Sequence, residues 1–322
     1  FKKNSRIVKF QPVKIQVVFI IYIQIIIKQN KIFLITYFFF YQFKQENGIN
    51  SLLLFFNKTG YLLLIATSFF IINFVVKKNS LTKDSNYAAF FYLIFLLFSP
   101  SIFNNPKLLV ANFFLLLALR RLISLQTLKF PKEKIFDATF WILMASIFQF
   151  WAVLFILVVY ASIVFHVSRD YRNWLIPFVS FFVFMVVFTL FSLFFESNLI
   201  ENYIHSAGFD LKMNFFKNSF QNVALSMYSV IVVFFWVPML FATANRPLNI
   251  QASFKKLLLS LLISVLVFLF SPNKSIDLLM FSFFPLAALA ASFIEYNNSK
   301  IQKEIVLFGC LIMGLTAYFL QL

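Results

Sequence analysis

The chain has 322 residues, of which 61% are hydrophobic and only 12% are charged. A soluble domain of this length needs more polar surface than this composition provides, so the sequence predicts a protein embedded in a membrane. The formal net charge of +17 comes from Lys and Arg residues between apolar runs, which is typical of membrane topology signals and excludes a nucleic-acid-binding face. We therefore expect membrane lipids, and no nucleic acid, as partners.

The first predicted elements are a basic tail and one apolar run. Residues 1–14 carry five Lys and Arg residues and are predicted to be a cytoplasmic tail. Residues 15–43 are interrupted by polar residues at 28–31, so they are interpreted as a single span centred on 32–43. The loop that follows, residues 44–58, contains Glu46.

Eight further runs have the length that crosses roughly 30 Å of hydrocarbon. The stretch 136–167 is harder to interpret, because a single helix of that length would be about 48 Å long. It is either one tilted helix or a hairpin that turns near Gln149. The eight clear runs are residues 59–76, 87–103, 108–125, 174–195, 222–244, 256–271, 276–293 and 304–322.

The positions of Lys and Arg decide between these alternatives, because basic residues accumulate in cytoplasmic loops. A single helix over 136–167 would place two basic segments on opposite sides, whereas a hairpin places all of them on one side. We therefore predict an all-α, polytopic bundle of about eleven spans, with a cytoplasmic N-terminus and a periplasmic C-terminus, forming one domain over residues 1–322. The basic segments are residues 1–14, 77–83, 120–134, 169–172 and 246–256.

This topology leaves residues 44–58, 104–107, 196–221 and 272–275, with the turn at Gln149, on the outer side. Residues 196–221 form the longest outer segment, and their apolar residues recur at helical spacing, which predicts periplasmic helices at the membrane interface. Glu201 and His205 are four residues apart and are expected to face one another. They are either a proton-transfer pair or the solvated face of a surface helix.

Sequence motifs for soluble-type chemistry do not occur in this chain. It contains no phosphate-binding glycine loop, zinc-binding helix, nucleophile elbow or dinucleotide fingerprint. Its one cysteine, Cys310, excludes an internal disulfide and a cysteine-ligated zinc site. We predict no metal and no cofactor. The predicted span interiors contain almost no charged residues, which disfavours an ion-coupled transporter.

Two segments, ANFFLLLALRRLISL and FDATFWILMASIFQFWA, resemble an uncharacterised family of multipass inner-membrane proteins of flavobacteria and relatives. The similarity extends over most of the chain from about residue 40 onward. It implies a location in the bacterial inner membrane and a multipass topology.

A second resemblance is to the GT-C superfamily of membrane glycosyltransferases, which use polyprenyl-phosphate sugars. It is carried by a span that ends at Arg120 and Arg121, by the short-helix hairpin, and by the late segment FSPNKSIDLLMFSFFPLAALAA. The resemblance implies Glu46 as the catalytic carboxylate and Lys274 as a contact to the lipid phosphate. The loop KQENGINS offers one carboxylate where the superfamily usually has Asp or an Asp/Glu pair.

The resulting functional hypothesis is a GT-C-like membrane protein that handles a lipid-linked sugar on the periplasmic side, either as a glycosyltransferase or as a relative that only binds. In this hypothesis Glu201 and His205 line the sugar site. The alternative is a non-enzymatic subunit of a cell-envelope complex, with residues 196–221 as its docking surface for a protein partner. A transporter is the third, disfavoured alternative.

Overall fold

The computed structural model describes residues 52–83, 86–195, 199–210, 216, 218–296 and 299–321. This part of the chain forms eleven α-helices and no β-strand, which confirms the all-α prediction. The helices are α1 Leu52–Lys78, α2 Tyr87–Leu96, α3 Pro106–Ile123, α4 Pro131–Phe148, α5 Ile156–His166, α6 Arg172–Phe195, α7 Leu199–His205, α8 Ser219–Ala242, α9 Leu248–Phe270, α10 Met280–Tyr296 and α11 Lys300–Gln321.

Seven of the described helices are long and apolar enough to cross a membrane. They coincide with seven of the predicted runs, and two shorter apolar helices accompany them, at Tyr87–Leu96 and Phe150–His166. The predicted first span, residues 15–43, lies outside the described residues. The count of eleven spans therefore stays a prediction. The seven spans are Thr59–Lys78, Pro106–Thr127, Arg172–Phe194, Ser219–Asn245, Ile250–Phe270, Ile276–Tyr296 and Ile301–Gln321.

The predicted run over residues 87–103 is broken in the structure. Helix α2 ends at Leu96, and a 3₁₀ helix occupies Pro100–Asn104. Proline has no backbone N–H to continue the α-helical hydrogen bonds, so it favours a new start at this point. The ten residues of α2 are about 15 Å long, which is too short to cross a bilayer alone.

The predicted turn near Gln149 is present. Helix α4 ends at Phe148, and Gln149 adopts an extended conformation with φ of −140° and ψ of 101°. A 3₁₀ helix over Phe150–Phe155 then leads into α5. The long apolar stretch is therefore two helical segments, as the distribution of basic residues predicts.

Helix α10 lies at the centre of the bundle, where it packs against α2, α3, α8 and α9. In the 18-residue apolar stretch of its span, 89% of the residues are buried, against 28% in the corresponding stretches of α6, α8 and α11. Small side chains make this packing close, because they let neighbouring backbones approach. The buried alanines of α10 are Ala287, Ala288, Ala290 and Ala291.

The peripheral helices expose large apolar side chains. On α6, Phe182, Leu193 and Phe194 are among the most exposed residues of the described chain. Such a continuous apolar surface is unfavourable in water and is suited to contact with lipid tails. The exposed apolar surface of these helices thus supports the prediction that the protein is embedded in a membrane.

Four of the segments predicted to be cytoplasmic meet at one end of the bundle. Gln126 Nε2 donates a hydrogen bond to the carbonyl oxygen of Asn79 at 3.1 Å, and Ser253 Oγ donates to Gln126 Oε1 at 3.0 Å. Lys132 forms an ion pair with Asp170 at 3.7 Å. We call this the basic end of the bundle. That it faces the cytoplasm stays a prediction.

Candidate functional site

The opposite end of the bundle contains a cavity of about 570 Å³. It is bordered by the α2–α3 link, the turn at Gln149, the end of α7 and the α9–α10 link, all of which the sequence predicts on the outer side. We call it the outer cavity. Its lining residues are Asn104, Asn105, Pro106, Lys107, Leu108, Phe148, Gln149, Phe150, His205, Ser206, Ser271, Pro272, Asn273, Ser275 and Leu278.

Hydrogen bonds and ring contacts join the segments around the outer cavity. Gln149 Nε2 donates to Ser271 Oγ at 3.0 Å, and Trp151 Nε1 donates to the carbonyl oxygen of Gly208 at 3.0 Å. The Trp151 ring also packs against Phe270, with 5.3 Å between ring centroids. The turn after α4 is thereby fixed to the loop after α7 and to the end of α9.

The predicted pair of Glu201 and His205 lies on α7. Glu201 Oε1 and His205 Nε2 are 3.8 Å apart, so the two side chains face one another as their spacing predicts. Both are strongly exposed, and such a pair adds little to stability. His205 lines the outer cavity, and Glu201 lies one helical turn before it.

Lys274 lies between two lining residues, Asn273 and Ser275. Its Nζ donates a hydrogen bond to the carbonyl oxygen of Asp210 at 2.7 Å. The structure thus brings the loop of Lys274 and the end of α7 at His205 to the same cavity. Glu46, the predicted catalytic carboxylate, lies outside the described residues.

A buried carboxylate, Asp277, lies directly behind the cavity wall and was missed in the sequence. Asp277 belongs to the 3₁₀ helix Ile276–Leu279 and is 1% exposed. It accepts hydrogen bonds from Ser99 Oγ at 2.6 Å, from Ser101 Oγ at 2.5 Å and from Asn105 Nδ2. Several short polar residues cluster between Ser99 and Asn105, but the sequence does not show that Asp277, 178 residues from Ser99, is their partner.

The hydrogen bonds of Asp277 hold the start of α3 against the cavity. Asn105 occupies the N-cap position of α3, but its side chain bonds Asp277 and does not cap the helix. The first turn of α3, including Lys107, borders the cavity. A helix N-terminus carries a partial positive charge, which favours an anion. Lys107 adds a full positive charge at the same place.

A second buried charge, Lys256, lies at the basic end. The sequence places it at the boundary of a span, but α9 begins eight residues earlier, at Leu248, and Lys256 is 1% exposed. Its Nζ donates to the carbonyl oxygen of Leu122 at 2.6 Å and lies 3.3 Å from His166 Nε2. A cation is favourable at the C-terminal end of α3. His166, at the end of α5, is half-buried beside it.

The premise that the span interiors are almost uncharged is therefore wrong for Asp277 and Lys256. Both lie within candidate spans and both are buried. Each is hydrogen-bonded to protein groups, which is how buried charges are normally stabilised. The absence of charged residues from the spans therefore no longer argues against a transporter, and the observed hydrogen bonds give each residue a role in holding the fold.

Within the described ranges, the lining of the outer cavity contains Lys107 and His205 but neither Asp nor Glu. Amide and hydroxyl groups of Asn, Gln and Ser provide the remaining polar contacts. Among the described residues, no group of three or more His, Cys, Asp or Glu side chains is arranged to hold a metal ion. The cavity can therefore attract an anion and hydrogen-bond to hydroxyl groups. No family model, curated protein or solved structure matches this chain.

Proposed function

We propose that the chain is an inner-membrane protein whose outer cavity binds the phosphate and the first sugar of a polyprenyl-phosphate-linked envelope precursor. The observation that carries this proposal is the polar cavity of about 570 Å³ at the end of a bundle with apolar flanks. Its volume falls in the range of about 300–1,000 Å³ that is typical of small-molecule sites. A sugar phosphate is a suitable occupant for a cavity of this size and polarity.

The charge of the lining favours the phosphate. Lys107 and the N-terminus of α3 offer positive charge, and the part of the lining that the structure describes contains no carboxylate to oppose it. Lys274, in the adjacent loop, is the second cation that we assign to the phosphate. Lysine recognises phosphate as a point charge, so it does not need the planar geometry that arginine requires.

The uncharged polar residues favour the sugar. Gln149, Asn273 and Ser206 present donors and acceptors from three different segments, which suits the many hydroxyl groups of a hexose. Phe148 and Phe150 add apolar surface on the same wall. Glu201 and His205 complete the sugar side of the site in this proposal.

Transfer of the sugar would need a general base for the acceptor hydroxyl. In the proposed reaction Glu46 takes the proton of that hydroxyl, whose oxygen then forms a bond to the anomeric carbon of the sugar. The bond from that carbon to the phosphate oxygen breaks, and polyprenyl phosphate leaves with the electron pair, stabilised by Lys107 and Lys274. If the chain is a transferase, Glu46→Gln abolishes transfer. If it only binds the precursor, neither the unmodified chain nor this variant transfers the sugar.

The experiment is a binding titration in lipid nanodiscs with a polyprenyl monophosphate that carries one hexose. We expect Lys107→Gln to weaken binding about tenfold, because one charge-assisted contact to the phosphate is lost. Arg169→Gln is the matched control, since Arg169 is exposed at the basic end. Equal affinity of Lys107→Gln and the unmodified chain would contradict the proposal.

The second candidate function is a non-enzymatic subunit of an envelope complex. It is favoured by exposed apolar residues on α7 and in the loop after it, namely Ile200, Ile204 and Phe209. These residues would form the surface that a protein partner covers. Stable co-purification of a partner that is lost in Ile204→Glu, together with no binding of the lipid-linked sugar, would favour this function over the first.

A further inference from the structure

Two cations from neighbouring helices share one exposed aromatic ring at the basic end. Lys78 Nζ lies 5.0 Å from the centroid of the Phe74 ring, and Arg120 Cζ lies 5.1 Å from it. Phe74 and Lys78 belong to α1, and Arg120 belongs to α3, which packs against α1. The Phe74 side chain is 45% exposed, so this group faces outward from the bundle.

No carboxylate in the described part of the chain neutralises the positive charge of this group. Lys78 and Arg120 form no ion pair with a described carboxylate, while Arg121 beside them pairs with Asp137 at 2.9 Å. Lys134, which precedes the apolar part of α4, lies close enough to Lys78 for the charge of Lys78 to affect its pKa. Desolvation lowers the pKa of Lys134, and the nearby charges of Arg121, Lys78 and Lys129 lower it further. An anion from outside the chain would relieve this repulsion.

The position of the group along the bundle indicates which anion is available. The spans of α1 and α3 end at Lys78 and Thr127, so Lys78 and Arg120 lie at the level where lipid headgroups begin. Below them, Leu63, Phe70 and Phe74 are exposed on α1 at spacings of seven and four residues, which places them along one face of the helix. Charge at the headgroup level and an apolar stripe beneath it match the two parts of a phospholipid.

We propose that Phe74, Lys78 and Arg120 form a binding site for an anionic phospholipid of the leaflet at the basic end. The phosphodiester would lie between Lys78 Nζ and the Arg120 guanidinium, whose planar donors suit phosphate oxygens. Phe74 positions both cations by cation–π contact, and one acyl chain would follow Phe70 and Leu63. This site is separate from the outer cavity and does not depend on the function proposed there.

The test compares two double variants that remove the same charge at the same end of the bundle. Lys78→Gln with Arg120→Gln removes the site, and Arg169→Gln with Arg172→Gln removes two exposed arginines elsewhere. Binding of phosphatidylglycerol to the full chain is measured by native mass spectrometry from detergent, with phosphatidylcholine as the zwitterionic reference. We expect phosphatidylglycerol binding to fall about tenfold in the first variant and less than about twofold in the second.

Three results would overturn the proposal. They are equal losses in both double variants, unchanged phosphatidylglycerol binding in the first variant, and displacement of the lipid by millimolar inorganic phosphate. If two copies of a Phe70→Cys variant cross-link through residue 70 and bound phosphatidylglycerol is lost as they do so, the surface belongs to a homodimer and the lipid proposal fails. If the first double variant fails to fold, Phe74→Leu provides the test. It keeps both charges, and we expect it to weaken phosphatidylglycerol binding about threefold, because the cations lose their positioning ring.

Discussion

Replacing Asp277 by leucine is expected to destabilise the outer end of the bundle strongly. The substitution leaves three donors without an acceptor, namely Ser99 Oγ, Ser101 Oγ and Asn105 Nδ2. A stranded donor costs about 1–3 kcal/mol, and some of the three would find water from the adjacent cavity, so we expect a total of about 3–5 kcal/mol. Asp277→Asn keeps one acceptor oxygen and is expected to cost about 1–2 kcal/mol.

The assay is unfolding of the purified chain by dodecyl sulfate in mixed micelles, followed by tryptophan fluorescence. Asp170→Asn is the matched control, because Asp170 is partly exposed and its ion pair with Lys132 is long, at 3.7 Å. We expect the control to change the free energy of unfolding by less than about 0.5 kcal/mol. If Asp277→Leu unfolds at the same dodecyl sulfate concentration as the unmodified chain, the claim that the hydrogen bonds of Asp277 stabilise the outer end is refuted.

Two further sites, Gly314 and Arg246, test the packing of the bundle. Gly314→Leu should destabilise the chain by about 1–3 kcal/mol, because a Cβ there would lie 3.1 Å from Ile94 Cγ2. Gly309→Leu is the matched control and should be nearly neutral, because nothing lies within 4 Å of a Cβ at that position. Arg246→Met should cost about 1–3 kcal/mol, since Arg246 stacks between Phe254 and Tyr296 and donates to Ser292 Oγ at 2.9 Å. The same dodecyl sulfate assay measures both; equal stability of the two glycine variants, or a neutral Arg246→Met, would contradict the respective contacts.

Much of the fold was predictable because the bilayer dictates the length of apolar runs. The run over residues 174–195 predicts α6 closely, and the placement of Lys and Arg predicts the break at Gln149. The run over 87–103 was predicted as a span because its apolar composition hides the effect of Pro100 on the helix. Hydrophobicity alone does not show where an apolar segment changes direction.

The buried charges were not predictable, because their partners are distant in sequence. Asp277 is 178 residues from Ser99, and Lys256 is 134 residues from Leu122. A charged residue near the end of an apolar run is ordinarily exposed at the interface. Only the packing of α2, α3 and α9 around α10 shows that these two are enclosed.

Part of the candidate site was predictable and part was not. The spacing of Glu201 and His205 predicts that they face one another, and the sign of the loop charges predicts that four segments share the outer side. The sequence does not show that Lys107, at the first turn of α3, lines the same cavity as His205. That position follows from the Asp277 network, which holds the α2–α3 link against the start of α10.

Photo-cross-linking is the most direct test of the claim that the outer cavity binds a lipid-linked sugar phosphate. The probe is a polyprenyl phosphate hexose with a diazirine on the sugar, added to the full chain in nanodiscs and mapped by peptide mass spectrometry. If the outer cavity is the binding site, adducts are expected within residues 104–108, 148–150, 205–206 and 271–278, and unlabelled polyprenyl phosphate hexose suppresses all of them. Adducts spread over the lipid-facing surface of α6 or α8, with no suppression by the unlabelled compound, would contradict this claim.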